Sequence, residues 1–367
     1  MNPYIPNNLP LDNLDYKRLF AYIGEANAEL ARYDGLLQGI VNPKVLLSPL
    51  TTNEAVLSSK IEGTQATLDD VLEQEAGLFA ENGKSNDIQE IINYRTTLEQ
   101  SADYVSLSPI SLFLLRQAHA TLLDSVRGKD KNPGEFRKDQ NWIGKYGCTM
   151  EQASFVPPSP FALQEYLEKW EAYVQGNEID SLLQLAILHA QFELIHPFKD
   201  GNGRIGRLLI PLFLYQKKNL ATPMFYLSSY LEANREEYYA RLSSISHAGD
   251  WDGWIEFFLK AIIAQAKENT HKVHQIMKLY ASMKDKITAT THSQYAIQAL
   301  DVIFTRPVFK TTGFVALMGI SKQTSMGLLR QIREAGDLKI IRQGRGRQAS
   351  ILMFPALLAI TEGKDLV

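Results

Sequence analysis

Apolar residues recur at spacings of three and four along most of this chain, as at Leu163, Leu167, Trp170 and Val174, or at Leu185, Leu188, Phe192 and Ile195. That is the period of a helix burying one face. Alternating, β-branched stretches bounded by turn residues are scarce and concentrate at 140–147 and 339–354. The pattern predicts a mainly α protein with little sheet. With 367 residues, of which 45% are hydrophobic and 22% charged, the chain is long enough for two or three cored domains and excludes long disorder and collagen-like sequence. A single cysteine, Cys148, excludes an internal disulfide framework and a cysteine-rich zinc site and points to a reducing, cytoplasmic setting. The N-terminus has prolines and asparagines where a secretion signal would carry a basic start and an apolar stretch. Apolar runs such as Leu208–Leu214 fall far short of the roughly 20 residues that cross a bilayer, so no membrane partner is expected.

Two glycine patterns invite a phosphate-binding reading and fail on context. GLFAENGKS at 77–85 has one residue too many between its glycines for a P-loop. GNGRIG at 201–206 satisfies GxGxxG but follows the helical pattern 182–195 instead of a strand. The same glycines belong to a longer run, His196-Pro-Phe-Lys-Asp-Gly-Asn-Gly-Arg-Ile-Gly-Arg207, which leads directly into apolar Leu208, Leu209, Leu212 and Phe213. Gly201 and Gly203 permit close backbone approach, and the helix that follows would offer its unpaired N-terminal amides to a phosphate. Arg204 and Arg207, three apart, share a helical face and carry planar donors suited to phosphate oxygens. Asp200 supplies a hard oxygen of the kind Mg²⁺ prefers, and His196 a base near neutral pH. Together these parts predict a phosphoryl or nucleotidyl transfer site.

The run matches HPFx[DE]GNGRxxR, the signature of the Fic family, which this sequence resembles. Nine specified positions make a chance match on the order of one in 10¹¹ per start site. The resemblance implies a Fic-type helical core with a small β-hairpin flap and transfer of AMP from ATP to Ser, Thr or Tyr hydroxyls of proteins, including the chain itself. It implies His196 as the base, Asp200 as the Mg²⁺ ligand and Phe198 as the loop's apolar anchor. Asn202 and the amides around Gly201 and Gly203 would hold phosphate oxygens, with Arg204 on the β-phosphate and Arg207 on the γ-phosphate. Residues 133–144 resemble the approach to the flap, whose Asn141, Trp142, Ile143 and Gly144 would pair with a strand of the target. Residues 227–239 resemble a helix bordering the adenine pocket, with Asn234 and Tyr238 as candidate contacts. Ser58-Ser-Lys-Ile-Glu62-Gly63, inside the helical stretch 52–76, matches the family's inhibitory motif [ST]xxxE[GN]. By resemblance Glu62 would pair with Arg207 and displace the γ-phosphate, Gly63 sparing room beside the carboxylate.

The last stretch, 293–367, predicts two helices, a turn at Gly319-Ile320, a recognition helix from Ser321 to Glu334 and a two-stranded hairpin. Seven Lys/Arg between 311 and 350, against Glu334 and Asp337, leave +5 there in a chain whose total is −3. This resembles the winged helix-turn-helix modules appended to many Fic proteins. Lys322, Arg330, Arg342, Arg345 and Arg347 are candidate DNA contacts, and the module equally fits a docking or homodimer surface. Three regions are expected: a helical N-terminal region at 1–110 carrying the inhibitory motif, a Fic catalytic core with following helices at 111–287, and a winged-helix domain at 288–367. The function expected is an autoinhibited protein adenylyltransferase using ATP and Mg²⁺. Its rivals are a DNA-binding regulator with a nucleotide-sensing core, the reverse removal of AMP assisted by Glu62, and uridylyl or phosphocholine transfer.

Overall fold

A computed structural model describes residues 2–78, 83–145, 147–345 and 348–364. The P-loop-like run at 77–85 falls partly outside them, as do Tyr146 and Arg347. The helices are α1 (Tyr16–Gln38), α2 (Pro43–Leu46), α3 (Ser48–Ile61), α4 (Leu68–Glu75), α5 (Ser85–Val105), α6 (Leu112–Leu122), α7 (Leu163–Gln175) and α8 (Ser181–Ile195). They continue with α9 (Asn202–Gln216), α10 (Ser228–Ala233), α11 (Arg235–Ala248), α12 (Trp251–Thr291), α13 (Ala296–Thr305), α14 (Thr311–Met318), α15 (Lys322–Glu334) and α16 (Pro355–Glu362). Strands β1 (Val308–Lys310), β2 (Lys339–Arg342) and β3 (Ile351–Met353) form one antiparallel sheet in the order β1-β3-β2. The fold is mainly helical. None of the helices described is long and apolar enough to cross a membrane.

Two compact units emerge, each drawing on discontinuous stretches of the chain. One comprises Met1–Gly35, Leu57–Thr64 and Gln89–Lys267, the other Leu36–Val56, Gln65–Ile88 and Glu268–Val367. In the first unit α8 is the central element. Thirteen of its residues are buried on every side, which is why its sequence is apolar all round. It packs against α7, α9 and α11. Asp180 caps its start, Oδ1 accepting from the amides of Leu182 and Leu183 at 2.8 and 2.9 Å. Two buried indoles are tied to its backbone: Trp170 Nε1 donates to the Leu188 carbonyl at 2.9 Å and Trp254 Nε1 to that of Ala186 at 2.8 Å.

In the second unit the sheet and α4 share a core of Leu68, Leu72, Ala76, Val308, Ile351 and Leu358. Helix α14 ends on Gly319, whose φ of 59° suits glycine, and Ser321 caps α15 by accepting from the Thr324 amide. Besides the helices and hairpin expected after 293, this unit holds β1 and α16. The stretch 288–291, poor in helix formers, continues α12. Thr290 and Thr291 donate their hydroxyls to the carbonyls four residues back, and Ile287 is buried, so their weak helix propensity is overridden. The inhibitory-type motif is not inside one long helix: α3 stops at Ile61, and Gly63, at φ 99°, turns the chain before α4.

Trp254→Ala is expected to destabilise the first unit by about 3–5 kcal/mol, through a cavity and the orphaned Ala186 carbonyl. Urea unfolding followed by circular dichroism checks it.

Candidate active site

The run 196–207 is a tight connection between α8 and α9. His196 ends α8 in the left-handed region, at φ 49°, its amide closing the last turn on the Phe192 carbonyl. Strain of this kind in a non-glycine residue persists only where the surroundings enforce it. Arg137, 3% exposed, supplies that enforcement. Its Nε donates to the His196 carbonyl at 3.0 Å and its Nη2 to that of Pro158 at 2.6 Å, while its own amide donates to the Pro197 carbonyl. Phe198 is fully buried, stacked on His119 with centroids 3.8 Å apart. His119 Nδ1 accepts from the Gly134 amide, so its Nε2 carries the proton and donates to the Asp200 carbonyl at 3.0 Å.

Asn202, expected on phosphate oxygens, is spent inside the loop. Its Oδ1 accepts from the Phe198 amide at 2.8 Å and its Nδ2 donates to the Phe198 carbonyl at 2.9 Å, leaving the residue 2% exposed. Arg204 is likewise turned inward. It is fully buried, Nη1 on Glu90 Oε2 at 2.8 Å and Nη2 3.5 Å from Asp200 Oδ1. A guanidinium cannot lose its charge, so once desolvated it takes the nearest carboxylates in place of an external anion. Glu90 also faces Arg127 at 3.4 Å.

Arg207, also buried, is held by the end of α3. Its Nε donates to Ser58 Oγ at 2.9 Å, and its Nη2 to the Ser58 carbonyl at 2.9 Å and to Glu62 Oε1 at 2.7 Å. A Cβ at Gly203 would collide with Glu62 Oε1, so glycine at 203 lets the carboxylate lie on the helix. Around Gly63 a Cβ would meet nothing, and its positive φ is what the turn requires. The N-terminus of α9 has no side-chain cap, and Gly201 precedes it at φ 77°. Asp200 Oδ1 accepts from the Gly201 amide at 2.6 Å; its Oδ2 faces the space left by the missing Cβ of Gly128.

The remaining expected residues separate. Tyr238 is core and not a pocket contact: it is 1% exposed, with its hydroxyl on His189 Nε2 at 2.9 Å. Asn234 breaks the expected helix into α10 and α11, its Nδ2 donating to the Tyr230 carbonyl. The expected flap hairpin reduces, among the described residues, to one bridge, Ile143 opposite Phe155. Trp142 and Ile143 stand 43% and 41% exposed beside it, and Trp142 Nε1 donates to the Cys148 carbonyl, across from which Gly144 leaves room for the Cys148 sulfur. Asn141 Nδ2 donates to the Phe198 carbonyl at 3.2 Å. In the second unit Lys322, Arg330 and Arg345 are exposed and Arg342 is half-buried. Arg137, His119 and Glu90 have no role that the sequence points to, because the partners that matter here, His196, Asp200 and Arg204, lie 59, 81 and 114 residues away.

Burial sets the proton positions. It pushes His119 and His196 down to about 4 and His189 to about 3. His196 Nδ1 donates to the Glu193 carbonyl at 3.2 Å, which leaves Nε2 bare: an unprotonated acceptor at neutral pH. Burial alone would raise the Glu62 carboxyl, but Arg207 outweighs it and holds Glu62 below its usual range.

Residues 20–103 match the family described as Fic/DOC family N-terminal, and residues 109–214 that described as Fic/DOC family. A "probable protein adenylyltransferase" of Aquifex aeolicus is 26% identical over 52% of this chain and 56% of its own. A protein adenylyltransferase Fic of Drosophila grimshawi is 30% identical over 56% of this chain and 38% of its own, so the chain spans well under two thirds of these relatives. A crystal structure of a Fic family protein from Desulfovibrio desulfuricans G20 shares the fold with a TM-score of 0.61 and 20% identity, over 95% of this chain and 98% of its own. A Fic domain containing signaling protein from Bacteroides thetaiotaomicron superposes at 0.51 with 18% identity, over 70% of this chain and 96% of its own.

The depressed histidines carry a stability consequence. The unfolded chain protonates them near 6.5 and the folded chain does not, so their contribution is complete above that pH and is lost as pH falls toward about 4. Each adds a slope of up to about 1.4 kcal/mol per pH unit. His189→Gln is expected to flatten stability against pH in this window, measured by urea unfolding.

Proposed function

We propose that this chain, a Fic protein by its two matched regions, is a protein adenylyltransferase that moves AMP from ATP to a protein hydroxyl. The observation that carries the reading is His196: locked at the end of α8 with Nε2 bare, it stands at the entrance to the uncapped start of α9. Relatives named as protein adenylyltransferases, at about 30% identity, support the same chemistry.

His196 Nε2 takes the proton of the incoming hydroxyl. The hydroxyl oxygen bonds to the α-phosphorus, the bond to the bridging oxygen breaks, and pyrophosphate leaves with that electron pair. The proton on His196 then passes to solvent, restoring the base. The first amides of α9 and the positive end of its dipole hold phosphate oxygens, and Arg207 takes the terminal phosphate. His119, Asn202 and Arg137 keep the loop in register, so that no reorganisation is needed when charge develops. Mg²⁺ is commonly held by one or two carboxylates plus substrate phosphates. Asp200, with Oδ2 facing the space beside Gly128, fits that mode as the single protein ligand. The ion would neutralise phosphate charge there.

The Glu62–Arg207 bond supports a resting state restrained from within the chain. Glu62 occupies the partner that a terminal phosphate needs and adds negative charge where another anion must bind. Nucleotide binding in a productive pose then requires Glu62 to withdraw.

Glu62→Gly is expected to raise self-modification by AMP at least about tenfold, and adding His196→Ala to abolish it while leaving the thermal transition where Glu62→Gly alone places it. Intact-mass spectrometry after incubation with ATP and Mg²⁺ reads both. Adduct formation in the His196→Ala background would overturn the role of the base.

A further inference from the structure

Glu62 is not the only carboxyl lying on α9. Gly203 and Gly206, one turn apart, share a face of the helix, and where Glu62 covers Gly203, Glu193 of α8 covers Gly206. A Cβ at Gly206 would collide with Glu193 Oε1, so both carboxyls depend on a missing side chain beneath them. Only Glu62 reaches Arg207. Glu193 Oε1 is shut off from solvent and has no hydrogen-bond partner among the described residues. Around it stand Arg207 of α9, Glu62 after α3, His189 of its own helix, and Tyr238 and Tyr239 of α11.

Oε1 meets none of them within hydrogen-bonding distance. His189 Nε2 is taken by the Tyr238 hydroxyl and its Nδ1 by the Gly206 carbonyl. Arg207 has only donors. The group is nevertheless an acid at neutral pH: burial, aided by Glu62 and opposed by Arg207, pushes it up to about 8. A carboxyl oxygen closed off from solvent with no partner among the described residues, on the same helix face as Arg207, is complementary to an anionic oxygen once it carries a proton.

We propose that Glu193 is a specificity-determining residue of this site, a neutral carboxylic acid that donates a hydrogen bond to a phosphate oxygen of the bound nucleotide. The inference rests on the nucleotide reading above. It makes affinity depend on a proton: binding is strong while Glu193 is protonated and falls with rising pH as Glu193 ionises, since a carboxylate there repels the phosphate it would otherwise hold.

The test uses the full chain carrying Glu62→Gly, with and without Glu193→Gln, and α,β-methylene-ATP with Mg²⁺ as the probe, titrated calorimetrically at about pH 7 and about pH 9.5. The parent is expected to lose about tenfold or more in affinity between the two, and the Glu193→Gln chain, which keeps a donor and cannot ionise, to lose at most about threefold. Gly206→Ala, which pushes the Glu193 side chain off the helix, is expected to weaken binding at the lower pH. Parallel pH profiles in parent and Glu193→Gln overturn the role of Glu193 alone. Absence of binding in every chain at either pH overturns the nucleotide reading and this inference with it.

Discussion

Two guanidinium groups buried at the start of α9 organise everything around them. Neither Arg204 nor Arg207 can shed its charge, and removing one from water costs several kcal/mol unless its donors are met. Glu90 from α5 and Asp200 from the loop meet the two terminal nitrogens of Arg204, whose Nε has no partner among the described residues, and Ser58 and Glu62 at the end of α3 meet Arg207. Elements far apart in the chain are therefore drawn onto one helix by electrostatic need. The two arginines divide the labour. Arg204 pairs with a carboxylate as buried as itself, while the carboxylate on Arg207, Glu62, is partly exposed.

Neutrality is the complementary theme. The connection between α8 and α9 is surrounded by imidazoles that burial keeps uncharged, each with its tautomer set by a backbone group. A neutral His119 links the Gly134 amide to the Asp200 carbonyl and stacks on Phe198. A neutral His196 is left with one free nitrogen. Fixing hydrogen-bond polarity in this way costs stability in acid but yields a base that needs no prior deprotonation at neutral pH.

The motif itself was readable because its logic is local. A histidine, an aspartate, two glycines and an arginine within twelve residues combine whatever surrounds them, and the Glu62–Arg207 bond joins two residues that resemblance paired. Asn202 and Arg204 make contacts that spacing alone does not reveal. From spacing alone both face an anion, but Asn202 closes on Phe198 only four residues away, and Arg204 finds Glu90, a partner 114 residues distant. Tyr238 carries the aromatic pattern of a pocket helix, and packing against His189 and Trp254 makes it core.

Helical periodicity, the cap residues Asp180, Ser111 and Ser321 and the glycine turns at 201 and 319 are properties of short stretches, and the chain determines them alone. Which segments join into one core is not such a property. Residues 36–56 and 65–88 combine with 268–367 because the apolar faces of Leu68 and Leu72 are covered by Val308, Ile351 and Leu358. Likewise, burial lowers His196, raises Glu193 and withdraws Arg204 from solvent. Desolvation and long-range pairing depend on what surrounds a residue in space, and only the tertiary structure supplies that.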